Sequence, residues 1–168
     1  QLASLDFSSC FNVTGNNVEF YNIYFDGNRS VQPLDGFSDS WNTGSNGTGK
    51  SNRAAIYMDG VPTTTLTGLK IFDCNFTSFF AASIATRSVN NVEIRDSTFI
   101  NSNLEGCFLY AGGSTRTANA SITGCTFKSL YSGDATVNAN AMVTSSYDGV
   151  IISNNYGDDC ERNLIKLE

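Results

Sequence analysis

The stretch Val92-Glu93-Ile94-Arg95-Asp96-Ser97-Thr98-Phe99 decides the fold. Val92 and Ile94 alternate with Glu93 and Arg95, which is the period of a strand with one buried face. Asp96 breaks that parity, and Ser97 and Phe99 resume it one residue out of step. A chain that changes phase yet keeps a single buried face must bend sharply at the break. Asp, Asn and Gly are the residues that enter the left-handed backbone conformation needed there at least cost.

Working outward, the same pattern recurs at Val18–Phe25, Leu69–Phe76 and Ala120–Phe127, with a weaker copy from Val150 through Ile152 and Asn154 to Tyr156. Its break falls on Asn22, Asp73, Gly124 and Asn154, so that with Asp96 a single column of turn residues phases the chain. After each terminal aromatic come a loop and a third short apolar segment: Ala54–Met58, Ala81–Ala85, Cys107–Tyr110, Ala139–Val143 and Leu164–Leu167. Strands that stack on their equivalents in neighbouring repeats predict an all-β, right-handed parallel β-helix, a solenoid of three parallel sheets and about five coils. A β-sandwich has no need to repeat one left-handed position at one phase, and no segment carries helical periodicity. Residues 1–168 fit one such domain, interrupted by a long insertion at about 26–53. Both termini fall inside the pattern, and Leu167-Glu168 reads as the scar of a tag, which predicts a fragment of a longer chain.

The repeat resembles that of the pectate-lyase-like right-handed parallel β-helix superfamily over essentially the whole chain. That family places a left-handed residue, often a stacked Asn, in the tight bend between its second and third strands, the position matched by Asn22, Asp73, Asp96, Gly124 and Asn154. Within it, the Asn/Ser/Thr-rich, acidic, His-free texture is most similar to a bacteriophage tailspike or tail-appendage domain. The resemblance implies an extracellular or virion setting, a homotrimer, and a polysaccharide or cell-surface glycan as the partner that is bound and, in some members, cleaved. A polysaccharide lyase or glycoside hydrolase remains open, as does a non-catalytic adhesin or structural solenoid.

A net charge of −6 with charged residues at only 15% argues against a surface that tracks nucleic-acid phosphates. No apolar run is long enough for a membrane span. The absence of His removes Ser-His and Cys-His nucleophile systems, leaving any acid–base work to carboxylates. A glycosidase needs two of these across the scissile bond. Asp73 and Asp96 are close enough in register, but the turn already accounts for both. Asp158 and Asp159, in the loop before the last third-type segment, are catalytic candidates, because the superfamily's active sites commonly lie on that side. The Gly-His-Gly and Asn-Thr-Asp patterns of its polygalacturonase-like members are missing.

Asp59 and Arg87 form the other catalytic candidate. They follow Tyr57 and Ala85 and are expected to face outward on adjacent coils, as a surface ion pair or as the acid and base of a lyase. Superfamily lyases work with calcium, which takes six to eight oxygens, and no dense acidic cluster is visible; no cofactor or metal is expected unless the chain is a lyase. For substrate binding the insertion offers Trp41 and Phe37 beside Asp39 and Asp35, and the third-type strand offers Tyr57. Rings stack on the C–H faces of sugars while carboxylates and amides pair with hydroxyls.

The repeat register also sorts the cysteines. Cys74 and Cys125 share a column with Ser97 between them, two coils apart and beyond bridging distance, so they are expected to be free core thiols. Cys10 and Cys160 belong to opposite ends, and Cys107 to a different strand. The glycosylation-type triplets at Asn12, Asn28, Asn46, Asn75 and Asn119 are about as many as this composition produces by chance.

Overall fold

A computed structural model describes residues 10–28, 54–60, 65–79, 82–102, 105–110, 117–130, 140–161 and 163–167. Strands β1 (Phe11–Val13), β4 (Ile56–Asp59), β7 (Ile84–Arg87), β10 (Cys107–Tyr110), β13 (Met142–Ser145) and β16 (Ile165–Leu167) form a first, six-stranded sheet. The second sheet holds β2 (Val18–Tyr21), β5 (Leu66–Phe72), β8 (Val89–Arg95), β11 (Thr117–Thr123) and β14 (Tyr147–Ser153). The third holds β3 (Tyr24–Asp26), β6 (Asn75–Thr77), β9 (Thr98–Ile100), β12 (Thr126–Leu130) and β15 (Tyr156–Cys160). Every pairing is parallel and joins a strand to its equivalent one coil away. The chain is a right-handed parallel β-helix.

The bend between the second and third sheets is the column that phases the repeat. Asn22, Asp73, Asp96, Gly124 and Asn154 have φ of 53°, 53°, 52°, 65° and 55°. The backbone ladder flanks this corner on both sides: Asp73 N donates to Arg95 O at 3.3 Å and Asp96 N to Thr123 O at 3.0 Å, while beyond the bend Thr98 N donates to Cys74 O at 2.9 Å. The N–H groups of Asn22, Asp73, Asp96 and Gly124, which a sharp turn would strand, are thereby paired with the next coil.

Inside the corner, one residue past the bend, stand Ile23, Cys74, Ser97, Cys125 and Asn155. Ser97 Oγ accepts from Cys74 N at 3.1 Å and Asn155 Oδ1 from Cys125 N at 2.8 Å, so each polar member of the column supports the coil before it. One position further, Phe25, Phe76, Phe99 and Phe127 stack face to face, with centroids 4.7, 5.0 and 4.8 Å apart and planes within 2°, 2° and 7° of parallel. Ring stacking at the coil spacing is what a parallel in-register sheet imposes, and each pair adds about 0.5–1.5 kcal/mol beyond its buried area. Phe11, Phe20 and Phe25 meet edge to face at the first coil.

The last coil departs from the expected pattern. Phe127 pairs with Gly157, and Tyr156 pairs with Thr126, so Tyr156 points outward and is 61% exposed rather than continuing the ring stack. The place of the missing ring is taken by Leu164, whose side chain lies against Gly157. The third-type strands also begin later than the apolar runs suggest. Ala54, Ala55, Ala82 and Ala141 are buried in the corners that precede β4, β7 and β13, where a small side chain is needed, and the strands run on to Asp59, Arg87 and Ser145.

A second left-handed column opens each copy. Asn17, Gly68, Asn91, Asn119 and Gly149 have φ of 56°, 78°, 54°, 60° and 73°, and they kink the second sheet just before its buried run. The sequence shows an Asn or Gly immediately before each copy, at Val18, Leu69, Val92, Ala120 and Val150. All five cysteines are free, with Cys74, Cys107 and Cys125 buried, Cys160 half-buried and Cys10 exposed.

Candidate functional site

The outer face of the first sheet gathers the residues with the most chemistry. In β4, Tyr57 and Asp59 point away from the core occupied by Ile56 and Met58, as strand alternation requires. The register sets Asp59 opposite Arg87 and Arg87 opposite Tyr110, and likewise Tyr57 opposite Ala85 and Ala85 opposite Phe108. Two outward rows therefore run side by side along the helix axis, one polar and one apolar.

The polar row is tightly bonded. Arg87 Nε donates to Asp59 Oδ1 at 2.7 Å, its Nη2 donates to Asp59 Oδ2, and Tyr57 Oη donates to the same Oδ2 at 2.7 Å. This is a two-pronged guanidinium–carboxylate pair with a phenol closing one side, the geometry in which Arg binds carboxylates best. The hydrogen-bonded Asp59 carboxylate holds the Arg87 guanidinium above its ordinary range, against the opposing pull of partial burial. A base in a lyase must give up its proton, so this pairing works against Arg87 in that role. The apolar row continues into a cluster of Ala54, Ala82, Ala85 and Phe108, with Tyr57 and Tyr110 packed against it. Phe108 and Tyr110, whose ring centroids lie 6.2 Å apart, were not singled out from the sequence, although both stand in the run Cys107–Tyr110.

Asp158 and Asp159 do not lie in a loop. Both belong to β15, which pairs with β12 from Tyr156 to Cys160, and Asp159 stands in a third left-handed column in which Ser78, Asn101, Ser129 and Asp159 have φ of 58°, 56°, 53° and 55°. Asp158 stands 3.6 Å from Lys128 Nζ, and Asp159 Oδ2 accepts from Ser129 Oγ at 3.2 Å. Asp159 thus carries a backbone role like that of Asp73 and Asp96, and Asp158 is half of an exposed ion pair. These two carboxylates sit on the third sheet, whereas Asp59 and Arg87 sit on the first, so the two candidate groups form separate surfaces. Trp41, Phe37, Asp39 and Asp35 lie outside the described residues.

Among the described residues no group of three or more His, Cys, Asp or Glu side chains is placed to hold a metal ion. No helix among them is long and apolar enough to cross a membrane. No protein-family model, no curated protein and no solved structure matches the chain, so its surface is interpreted from its own residues.

Proposed function

We propose that the chain is a polysaccharide-binding β-helix domain of an extracellular or virion-surface protein, similar to a tailspike of the pectate-lyase-like kind. The observation that carries this reading is the cluster of Tyr57, Asp59 and Arg87 beside Phe108 and Tyr110 on the first sheet. Rings and fixed polar groups in parallel rows suit a sugar chain laid along the axis, the rings taking C–H faces and the guanidinium taking hydroxyls or a carboxylate. Arg87 has five N–H donors and commits its Nε and one Nη2 proton to Asp59, which leaves donors for a ligand.

Binding is favoured over cleavage because the proton on Arg87 is held in place and, among the described residues, no second carboxylate shares the outward row. The reading includes a homotrimer as the assembled form and surface glycans as the partner. A glycan array probed with the intact chain tests it: retention of acidic or capsular polysaccharides is expected, with loss on Tyr57→Ala or Arg87→Ala. Absence of any retained glycan overturns it. Assays for new reducing ends and for unsaturated-uronate absorbance are expected to stay at background, and light scattering to read the mass of three chains.

A further inference from the structure

The kink at the second left-handed column turns the outer face of the second sheet into a trough of about 410 Å³, which runs along the helix axis from Asn17, just before β2, across β5, β8, β11 and β14. Strands about 4.8 Å apart give it a length of about 19 Å. That volume lies in the range of small-molecule and oligomer sites. Its floor combines amides and glycines in the order Asn17, Gly68, Asn91, Asn119 and Gly149. A Cβ at Gly68 would run into the Asn17 side chain, and one at Gly149 would come within 2.9 Å of Asn119 Oδ1, so the amides lie over their neighbouring glycines rather than standing out into solvent.

These amides are held in order before any ligand arrives. Asn119 Nδ2 donates to Asn91 Oδ1 at 3.0 Å, and Asn91 Nδ2 donates to Thr67 Oγ1 at 3.1 Å. Each amide has two donor protons and an oxygen with two lone pairs, so each keeps hydrogen-bonding capacity to spare. Asn91 and Asn119 are nevertheless exposed. A pre-ordered set of donors and acceptors binds at a lower entropic cost than mobile side chains would.

The rim decides the charge of the ligand. Lys70 pairs in register with Glu19 on one side and Glu93 on the other, and the row continues through neutral Ser121 and Ile151, so no sign of charge dominates it. With the chain at −6, a densely anionic polymer would be repelled. Nor does an extended peptide fit, because the face of a sheet has no free backbone groups to pair with it. We propose that this trough binds a neutral, linear, hydroxyl-rich glycan lying along the helix axis. It shares with the reading of the first sheet only the class of ligand, and it depends on different residues.

The test uses the intact chain and three neutral probes: linear β-linked gluco-, xylo- and manno-oligosaccharides. Side-chain amide resonances of Asn91 and Asn119 are followed by NMR, and affinity by calorimetry. Asn91→Gly and Asn119→Gly are the variants of choice, because glycine already occupies this column at Gly68 and Gly149 and tolerates its φ. At least one probe is expected to shift both amides, in Tyr57→Ala as in the parent, and the double glycine variant is expected to bind it about tenfold more weakly or worse. The proposal is overturned if no probe moves these amides, or if the double variant binds as tightly as the parent. If binding falls with Tyr57→Ala alone, the trough proposal fails and the first-sheet reading stands.

Discussion

The carboxylate of Asp96 occupies the space in which a side chain at Gly124 would begin: its Oδ1 lies 2.5 Å from the Cβ position there. Gly124 also has φ +65°. Gly124→Ala should therefore cost about 1–2 kcal/mol for the left-handed backbone, plus whatever is lost as Asp96 swings away from Arg95, its partner at 3.2 Å. Urea unfolding measures the total. Repeating the substitution in an Asp96→Gly background isolates the clash, and the penalty should be smaller there.

Phe99 is fully buried between Phe76 and Phe127 and should be the costliest single ring to lose. Phe99→Ala is expected to destabilise by about 3–5 kcal/mol, because rigid rings on both sides leave the cavity unable to collapse. Phe99→Leu should cost distinctly less. A loss for Phe99→Ala no larger than that at exposed Tyr24 would mean that the ring ladder does not hold the coils together.

Burial pushes the Cys125 thiol from 9.0 up to about 11, and pushes Cys107 well above 9.0. The folded chain therefore holds these protons more tightly than the unfolded one. The contribution of Cys125 to stability is complete below pH 9 and is lost as pH rises toward about 11, and that of Cys107 is likewise lost above pH 9. For Cys125 the loss is about 2 kcal/mol. Stability curves of the parent and of Cys125→Ala should converge across that window. At pH 8 a thiol reagent should modify exposed Cys10 first and reach Cys74, Cys107 and Cys125 only on unfolding.

Arg87→Ala should leave stability within about 1 kcal/mol of the parent, since the Arg87 side chain is 44% exposed and surface pairs of this kind contribute little. Glycan retention should nonetheless fall. A large drop in the unfolding midpoint would mark the pair as structural and remove the basis for the first-sheet site.

The bend column was readable because Asn, Asp and Gly are the residues whose chemistry suits a left-handed backbone, and Asn22, Asp73, Asp96, Gly124 and Asn154 all adopt it. The neighbouring column at Asn17, Gly68, Asn91, Asn119 and Gly149 uses the same residue types, but it lies one position outside a repeat counted from its first apolar residue. The bends at Ser88 and Ser146 carry no such signature, since serine has little preference for positive φ, and only the tertiary ladder imposes it. Tyr156 misled because an aromatic near the end of a copy resembles the ring column, whereas counting three residues from Asn154 arrives at Gly157. Of the candidate sites, the outward pairing of Asp59 with Arg87 followed from strand parity. The ring beside it from Phe108 and the amide trough depend on register across several coils, which alternation within one strand does not reveal.

The interval from bend to ring is the same in Asp73–Phe76, Asp96–Phe99 and Gly124–Phe127, and it persists in Asn154–Gly157, where no ring remains. This makes the coil a unit of fixed gauge at one corner and free length elsewhere. An insertion of one residue inside that interval would turn a ring out to solvent and drag the bend off its hydrogen-bonded column, while the connections after β12 and β10 can lengthen without touching either. Such a chain changes size in whole coils, and new surface chemistry enters it through the loops and outward rows without renegotiating the core.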